Sequence, residues 1–117
     1  MSNRNMKMVF FAMVITALTS FAPFSKKPML HLVKMKGMDF IPKELNVQIG
    51  DTVRWVNESD TWHNVIAINK AFKSDNIEKK GDTFEFVFSK PGEYKYYCKP
   101  HRMMGMKGTV FVSTQTP

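Results

Sequence analysis

A single cysteine, Cys98, serves the whole chain of 117 residues, so no internal disulfide can form. Charge of one sign never runs on. The 17 Lys and Arg residues are scattered among 10 Asp and Glu residues, which speaks against a nucleic-acid partner. A long apolar run is missing too. The longest, Met8 to Leu18 with Thr16 interrupting it, is short for a membrane span. No helical period holds over eleven residues, and there are no repeats or low-complexity tracts.

What the N-terminus does contain is ordered like a leader. Arg4 and Lys7 come before the apolar run and Ser20-Phe21-Ala22 after it, which gives a basic region, an apolar region and a small-x-small cleavage site. Residues 1–22 are therefore read as a signal peptide. Pro23 would hinder cleavage at that point, so an uncleaved anchor is the second reading, and only then is a membrane a partner. Residues 23–29, with Pro23, Pro28 and Ser25-Lys26-Lys27, read as a linker, and residues 30–117 as one domain. Without the leader the formal net charge falls from +7 to about +5. A basic surface of this size steers toward an acidic partner or an anionic membrane face. Export places the domain in the periplasm or an equivalent oxidising space. There a lone thiol is a liability unless something such as a metal holds it.

The domain reads as short strands between turn signals. Strands are expected at Leu30–Lys36, Leu45–Ile49, Thr52–Val56, Trp62–Ile68, Phe84–Phe88, Tyr94–Cys98 and Gly108–Ser113. Residues 69–81 are irregular, with room for a short strand or one helical turn. The expected fold is an all-β Greek-key sandwich or barrel of about seven to eight strands. Phe84, Phe86 and Phe88 form a core stripe. Alternation puts Tyr94, Tyr96 and Cys98 on one face and Lys95 and Tyr97 on the other. Lys95 belongs outside, so Cys98 points inward.

The stretch after Cys98 reads Lys99-Pro100-His101-Arg102-Met103-Met104-Gly105-Met106-Lys107-Gly108. A thiolate, an imidazole and thioethers lie within one loop, and His63 lies 35 residues upstream of Cys98. Two His, one Cys and a weakly held Met are the donor set of a type 1 copper centre used for electron transfer. Pro100 restricts the loop and Gly105 lets it turn again. Two methionines compete for the axial place: Met104 in Cys-x2-His-x2-Met and Met106 in Cys-x2-His-x4-Met.

The block Tyr96-Tyr97-Cys98-Lys99-Pro100-His101-Arg102, with Gly105-Met106-Lys107-Gly108-Thr109-Val110, resembles the plastocyanin and pseudoazurin cupredoxins. In that pattern the axial Met is followed by x-Gly-x-Val, and Met106 has this continuation where Met104 does not. Met38-Asp39-Phe40-Ile41-Pro42, Gly50-Asp51-Thr52-Val53-Arg54-Trp55-Val56-Asn57, His63-Asn64-Val65, Ala71-Phe72-Lys73-Ser74 and Gly81-Asp82-Thr83-Phe84 extend the resemblance over most of the domain. It implies a blue copper electron carrier with one type 1 copper on His63, Cys98, His101 and Met106. It also implies that Asn64 ties the two ligand loops together. Trp62 departs from the family, where a smaller residue or Pro is common. The thioethers of Met103 and Met104 and the absence of the acidic clusters of plant plastocyanins depart as well, which sets a plant-like docking mode aside.

A monomer is expected, with redox proteins docking on apolar Pro100, Met103, Met104 and Trp62 around His101, inside a basic rim of Lys99, Arg102 and Lys107. Simpler roles compete for other residues. His31 reads as an edge-strand histidine, although Met29, His31, Met35, Met103 and Met104 leave a second copper site open. Met103 and Met104 read as packing around the loop, and Tyr97 as an exposed strand aromatic. The alternative function is copper handling, as a chaperone or scavenger, which the methionines at 29, 35, 38, 103 and 104 favour. An enzyme reading, a hydrolytic zinc or a Cys-His nucleophile, lacks a nearby carboxylate base, so the chain is not expected to be an enzyme.

Overall fold

The computed structural model describes residues 11–20 and 26–115. Arg4, Lys7 and Pro23, on which the leader reading rests, lie outside the described residues. Residues 11–20 are exposed and carry no regular secondary structure. Among the described residues no helix is long and apolar enough to cross a membrane.

Eight strands follow: β1 Leu30–Lys36, β2 Asp39–Ile41, β3 Glu44–Gln48, β4 Thr52–Asn57, β5 Ile66–Ala67, β6 Thr83–Val87, β7 Gly92–Tyr97 and β8 Lys107–Ser113. They form two four-stranded sheets, ordered β2-β1-β4-β6 and β3-β8-β7-β5. Each sheet contains one parallel pair, β1 with β4 and β3 with β8. The expected all-β sandwich is present.

Period-two patterning makes the core. Val33 and Met35 of β1, Val53 and Trp55 of β4, Tyr94 and Tyr96 of β7, and Val110 and Val112 of β8 all turn inward. Trp55 sits at the centre, with Phe72, Phe84 and Tyr96 within 5.4–5.7 Å of its ring centroid. The phenylalanine stripe is core: Phe88 is fully buried, and Phe84 and Phe86 pack on the cluster half-buried. Gly108 is where β8 crosses Tyr96. A Cβ there would lie 2.5 Å from the Tyr96 hydroxyl oxygen and 2.9 Å from the Lys43 carbonyl oxygen.

Two strand expectations change. The strand expected at Trp62–Ile68 is reduced to Ile66–Ala67. Single bridges tie the segment to residues 69–81 instead, His63 to Ile77 upstream and Ile66 to Lys73 at the start of β5. Side chains intervene: the Ser74 hydroxyl accepts the Val65 N–H at 2.8 Å, and the Asn64 side chain accepts the Lys99 N–H of another loop. Residues 69–81 hold no strand or helix, and they fold back along 63–67 to supply those bridges. The short β2 is additional.

Candidate metal centre

Cys98 follows the last residue of β7 in extended conformation, and the chain then winds into a 3-10 helix, Lys99–Met104, with Pro100 in its first turn. Proline is tolerated there because the first N–H groups of a helix have no partner within it. Gly105 ends the turn at φ 81°, a left-handed conformation open to glycine. The loop is closed by backbone hydrogen bonds. The Cys98 N–H donates to the Met106 carbonyl at 3.0 Å, and the Met106 N–H donates to the His101 carbonyl at 3.2 Å. Across from it, the His63 backbone is pinned to Ile77 by paired bonds of 3.2 and 2.7 Å. Asn64 Oδ1 accepts the Lys99 N–H at 2.8 Å, so the two ligand loops are tied together.

This scaffold brings His63, Cys98 and His101 to one point, with a donor atom from each within 4.8 Å of the others. Cys98 Sγ lies 3.7 Å from His63 Nδ1 and 3.5 Å from His101 Nδ1. Metal bonds of about 2.3 Å to sulfur and 2.0–2.1 Å to nitrogen, opened by about 110–120°, would set those separations at roughly 3.5–3.8 Å. The residues therefore fit one small metal ion without rearrangement. Cys98 and His63 are fully buried, while His101 is half-buried at the surface. Met106 is also fully buried, whereas Met104 is 64% exposed and Met103 stands wholly in solvent. Met103 and Met104, expected as surface packing around the loop, form an exposed apolar edge.

A metal here would meet a neutral His63 and would displace the Cys98 proton. Burial pushes the Cys98 thiol up, while the backbone N–H groups of Asn64 and His101 beside the sulfur pull the other way. Those same N–H groups stabilise the thiolate once the proton is displaced. Burial lowers the His63 pKa, and the neighbouring His101 lowers it further, so the ring is neutral and free to coordinate.

A chain of hydrogen bonds behind His63, absent from the sequence reading, decides which nitrogen faces the sulfur. Asn57 Nδ2 donates to the Thr61 and Ile77 carbonyls, each at 2.9 Å, which fixes the orientation of the amide. Its Oδ1 then faces Ser59, accepting from the backbone N–H at 2.8 Å and from the hydroxyl at 2.9 Å. The Ser59 hydroxyl proton has two acceptors, Asn57 Oδ1 and the Met35 carbonyl 3.2 Å away, so Oγ is left to accept from His63 Nε2, 2.6 Å away. Nδ1 is left with its lone pair toward Cys98. The Asn57-x-Ser59-x3-His63 spacing was the available signal, but Ser and Asn in a turn have commoner uses.

Residues 28–113 match the family described as copper binding proteins of the plastocyanin/azurin family. The chain belongs to this family. It is 37% identical over 95 residues to a chloroplastic plastocyanin of Physcomitrium patens, covering 69% of this chain and 56% of that protein. It is 32% identical over 120 residues to a plastocyanin of Nostoc punctiforme, covering 85% and 86% of the two chains. Halocyanin of Natronomonas pharaonis is 39% identical over 80 residues, which cover 65% of this chain. The chain spans only about half the halocyanin length, at 49%. A copper(I) structure of an amicyanin variant superposes with a TM-score of 0.65 at 30% identity, covering 72% of this chain and 82% of that one. The protein is thus a cupredoxin, and its His63–Cys98–His101 cluster, with Met106 in the same closed loop, fits one type 1 copper ion.

His31 lies elsewhere. Its Nε2 is 2.9 Å from Asp51 Oδ2, at the end of β1 where only β4 flanks it. Met35 is buried in the core, while Met29 and Met38 are about half exposed. Tyr97 is half-buried on the outer face, with the Arg102 guanidinium 4.2 Å from its ring centroid.

Proposed function

We propose that this chain is an exported one-electron carrier whose copper is held by His63, Cys98, His101 and Met106. The observation that supports this best is the position of the His63, Cys98 and His101 donors at coordination spacing. Bound there, copper supplies a one-electron couple. The chain's part is to keep the donors still: a strand end and two N–H groups hold the thiolate, Ser59 and Ile77 hold His63, and the 3-10 helix holds His101. Donors that need not move between oxidation states keep the reorganisation small. Met106 would be the fourth donor in this reading, supported by its burial and its backbone ties to both loop ligands. His101 alone of the four reaches the surface, so its ring edge is the exit for the electron.

Around that edge stand exposed Trp62, Pro100, Met103 and Met104, an apolar contact for small, short-lived encounters. Lys99, Arg102 and Lys107 are exposed beside them and speed the approach of an acidic redox partner. The protein works as a monomer in the periplasm or an equivalent compartment, delivered by residues 1–22. No carboxylate joins the metal cluster among the described residues, which weighs against a hydrolytic site. One equivalent of copper(II) added to the purified protein should produce an intense blue or green colour with narrow copper hyperfine splitting in EPR. A colourless complex with ordinary tetragonal splitting would overturn the reading, and rapid transfer of copper itself to an acceptor would replace electron carriage by copper handling.

A further inference from the structure

Two depressions flank the ligand loop, and their charges differ. The first, about 790 Å³, runs past Lys99 and Pro100 toward residues 73–78. Its lining offsets Lys73 and Lys99 with Asp75 and Glu78. The second, about 520 Å³, lies on the opposite side of the loop and is lined by Lys43, Lys95, Arg102 and Lys107 with no carboxylate. Strand register builds it. Lys95 and Tyr97 of β7 stand opposite Thr109 and Lys107 of β8, all on the outer face of the second sheet. Arg102 is delivered from the 3-10 helix and rests on the Tyr97 ring, which holds its guanidinium over the groove. Ile68 and Met103 add exposed apolar surface at the rim.

Two carboxylates border this groove. Glu93 reaches Lys95 at 3.8 Å, and Glu44 points outward beside Thr109. Counting both, cations still lead four to two, against two to two on the other side. Among the described residues no carboxylate comes within 4.0 Å of Lys43, Arg102 or Lys107.

We infer that the groove bounded by Lys43, Lys95, Arg102 and Lys107 seats an acidic segment of the partner protein, so that electrostatic docking is one-sided. This rests on the reading of the ligand loop as the docking face. Carboxylates of the segment meet the four cations, and an apolar side chain beside them covers Tyr97, Ile68 and Met103. Lys43 and Lys95 come from outside the ligand loop, and they make the charge excess specific to this side.

The test is a titration of the isotope-labelled protein with hexaglutamate, followed by amide NMR shifts, in metal-free and copper(I) forms. Inorganic phosphate at equal ionic strength is the second probe. Shifts should concentrate at Ile68, Lys95, Gly108 and Thr109. Lys43→Glu and Lys95→Glu should each weaken hexaglutamate binding about three- to tenfold at low salt. Lys73→Glu, in the other depression, should change it less than twofold. Thermal midpoints of the three variants confirm folding. Shifts centred on Lys73 and Lys99, or equal losses in all three variants, would overturn the proposal. Equal binding of phosphate would overturn it as well, by making the groove a small-anion site. The blue colour on copper loading reports separately on the electron-carrier reading.

Discussion

Replacing Ser59 by Ala removes one oxygen, 2.6 Å from Nε2 of His63. Among the described residues nothing else accepts from that nitrogen, and the ring is fully buried. The Asn57 amide oxygen loses one of its two donors at the same time. A buried donor left without a partner costs about 1–3 kcal/mol. Part of that cost is avoided if the imidazole moves its proton to Nδ1, but that nitrogen then has no lone pair to offer a metal beside Cys98. Metal binding must restore the Nε2–H form and bear the cost. The expected loss of copper affinity is therefore about 10–100-fold, in line with other changes to hydrogen bonds behind a metal-bound histidine. A competition titration against a chelator of known affinity measures it. Nitrogen NMR of His63 in the metal-free protein reads the tautomer directly: Nε2–H in the parent, mixed or reversed in Ser59→Ala, restored in Ser59→Thr. Unchanged affinity and an unchanged tautomer in Ser59→Ala would refute the reasoning.

Cys98→Ser should abolish the visible absorption of the copper(II) form, because the charge transfer needs the thiolate; spectra before and after loading decide it. Met106→Leu should shift both reduction potential and spectrum while Met104→Leu changes neither, and the reverse pattern in voltammetry would establish the shorter loop register. Gly108→Ala forces a Cβ to 2.5 Å from the Tyr96 hydroxyl oxygen and 2.9 Å from a backbone carbonyl. Overpacking of this kind costs about 1–3 kcal/mol, so the thermal midpoint should drop by roughly 5–20 °C, and an unchanged midpoint would contradict the packing. For the metal-free protein, the lowered His63 pKa means the unfolded chain takes up a proton first as pH falls through about 6.5, so stability declines on that side. The raised Cys98 pKa means the unfolded thiol ionises first above about pH 8.5, so stability declines there too. Melting curves across pH should show both limbs, with the alkaline one reduced in Cys98→Ala and the acid one in His63→Gln.

Much of the site is written locally. Cys98, His101 and Met106 lie in one loop, so spacing alone brings them near each other, and alternation along β7 settles that Cys98 faces inward. Strand periodicity placed β1, β4, β6 and β8 within a residue or so, because each carries a buried or half-buried stripe at period two. Burial and exposure separate the two methionines, Met106 inside and Met104 outside, in agreement with the family continuation Lys107-Gly108. Gly108 itself is explained only by the Tyr96 ring that crosses it.

What the sequence left undecided depends on partners far apart in the chain. The segment at Trp62–Ile68 has strand composition, yet side chains of Ser74 and Asn64 take over its ladder, and no local pattern reveals that trade. The tautomer of His63 follows from Asn57, Ser59, Thr61 and Ile77 acting in series, which needs a fold to line them up. The asymmetry of charge around the loop has the same origin. Lys43 and Lys95 are unremarkable in sequence, and only the pairing of β7 with β8 beside β3 sets them next to Arg102 and Lys107. Side-chain chemistry and spacing along the chain named the candidate donors; the packing of two sheets brought His63 to Cys98 and His101 and decided how its ring is held, because that needs contacts between segments far apart in the chain.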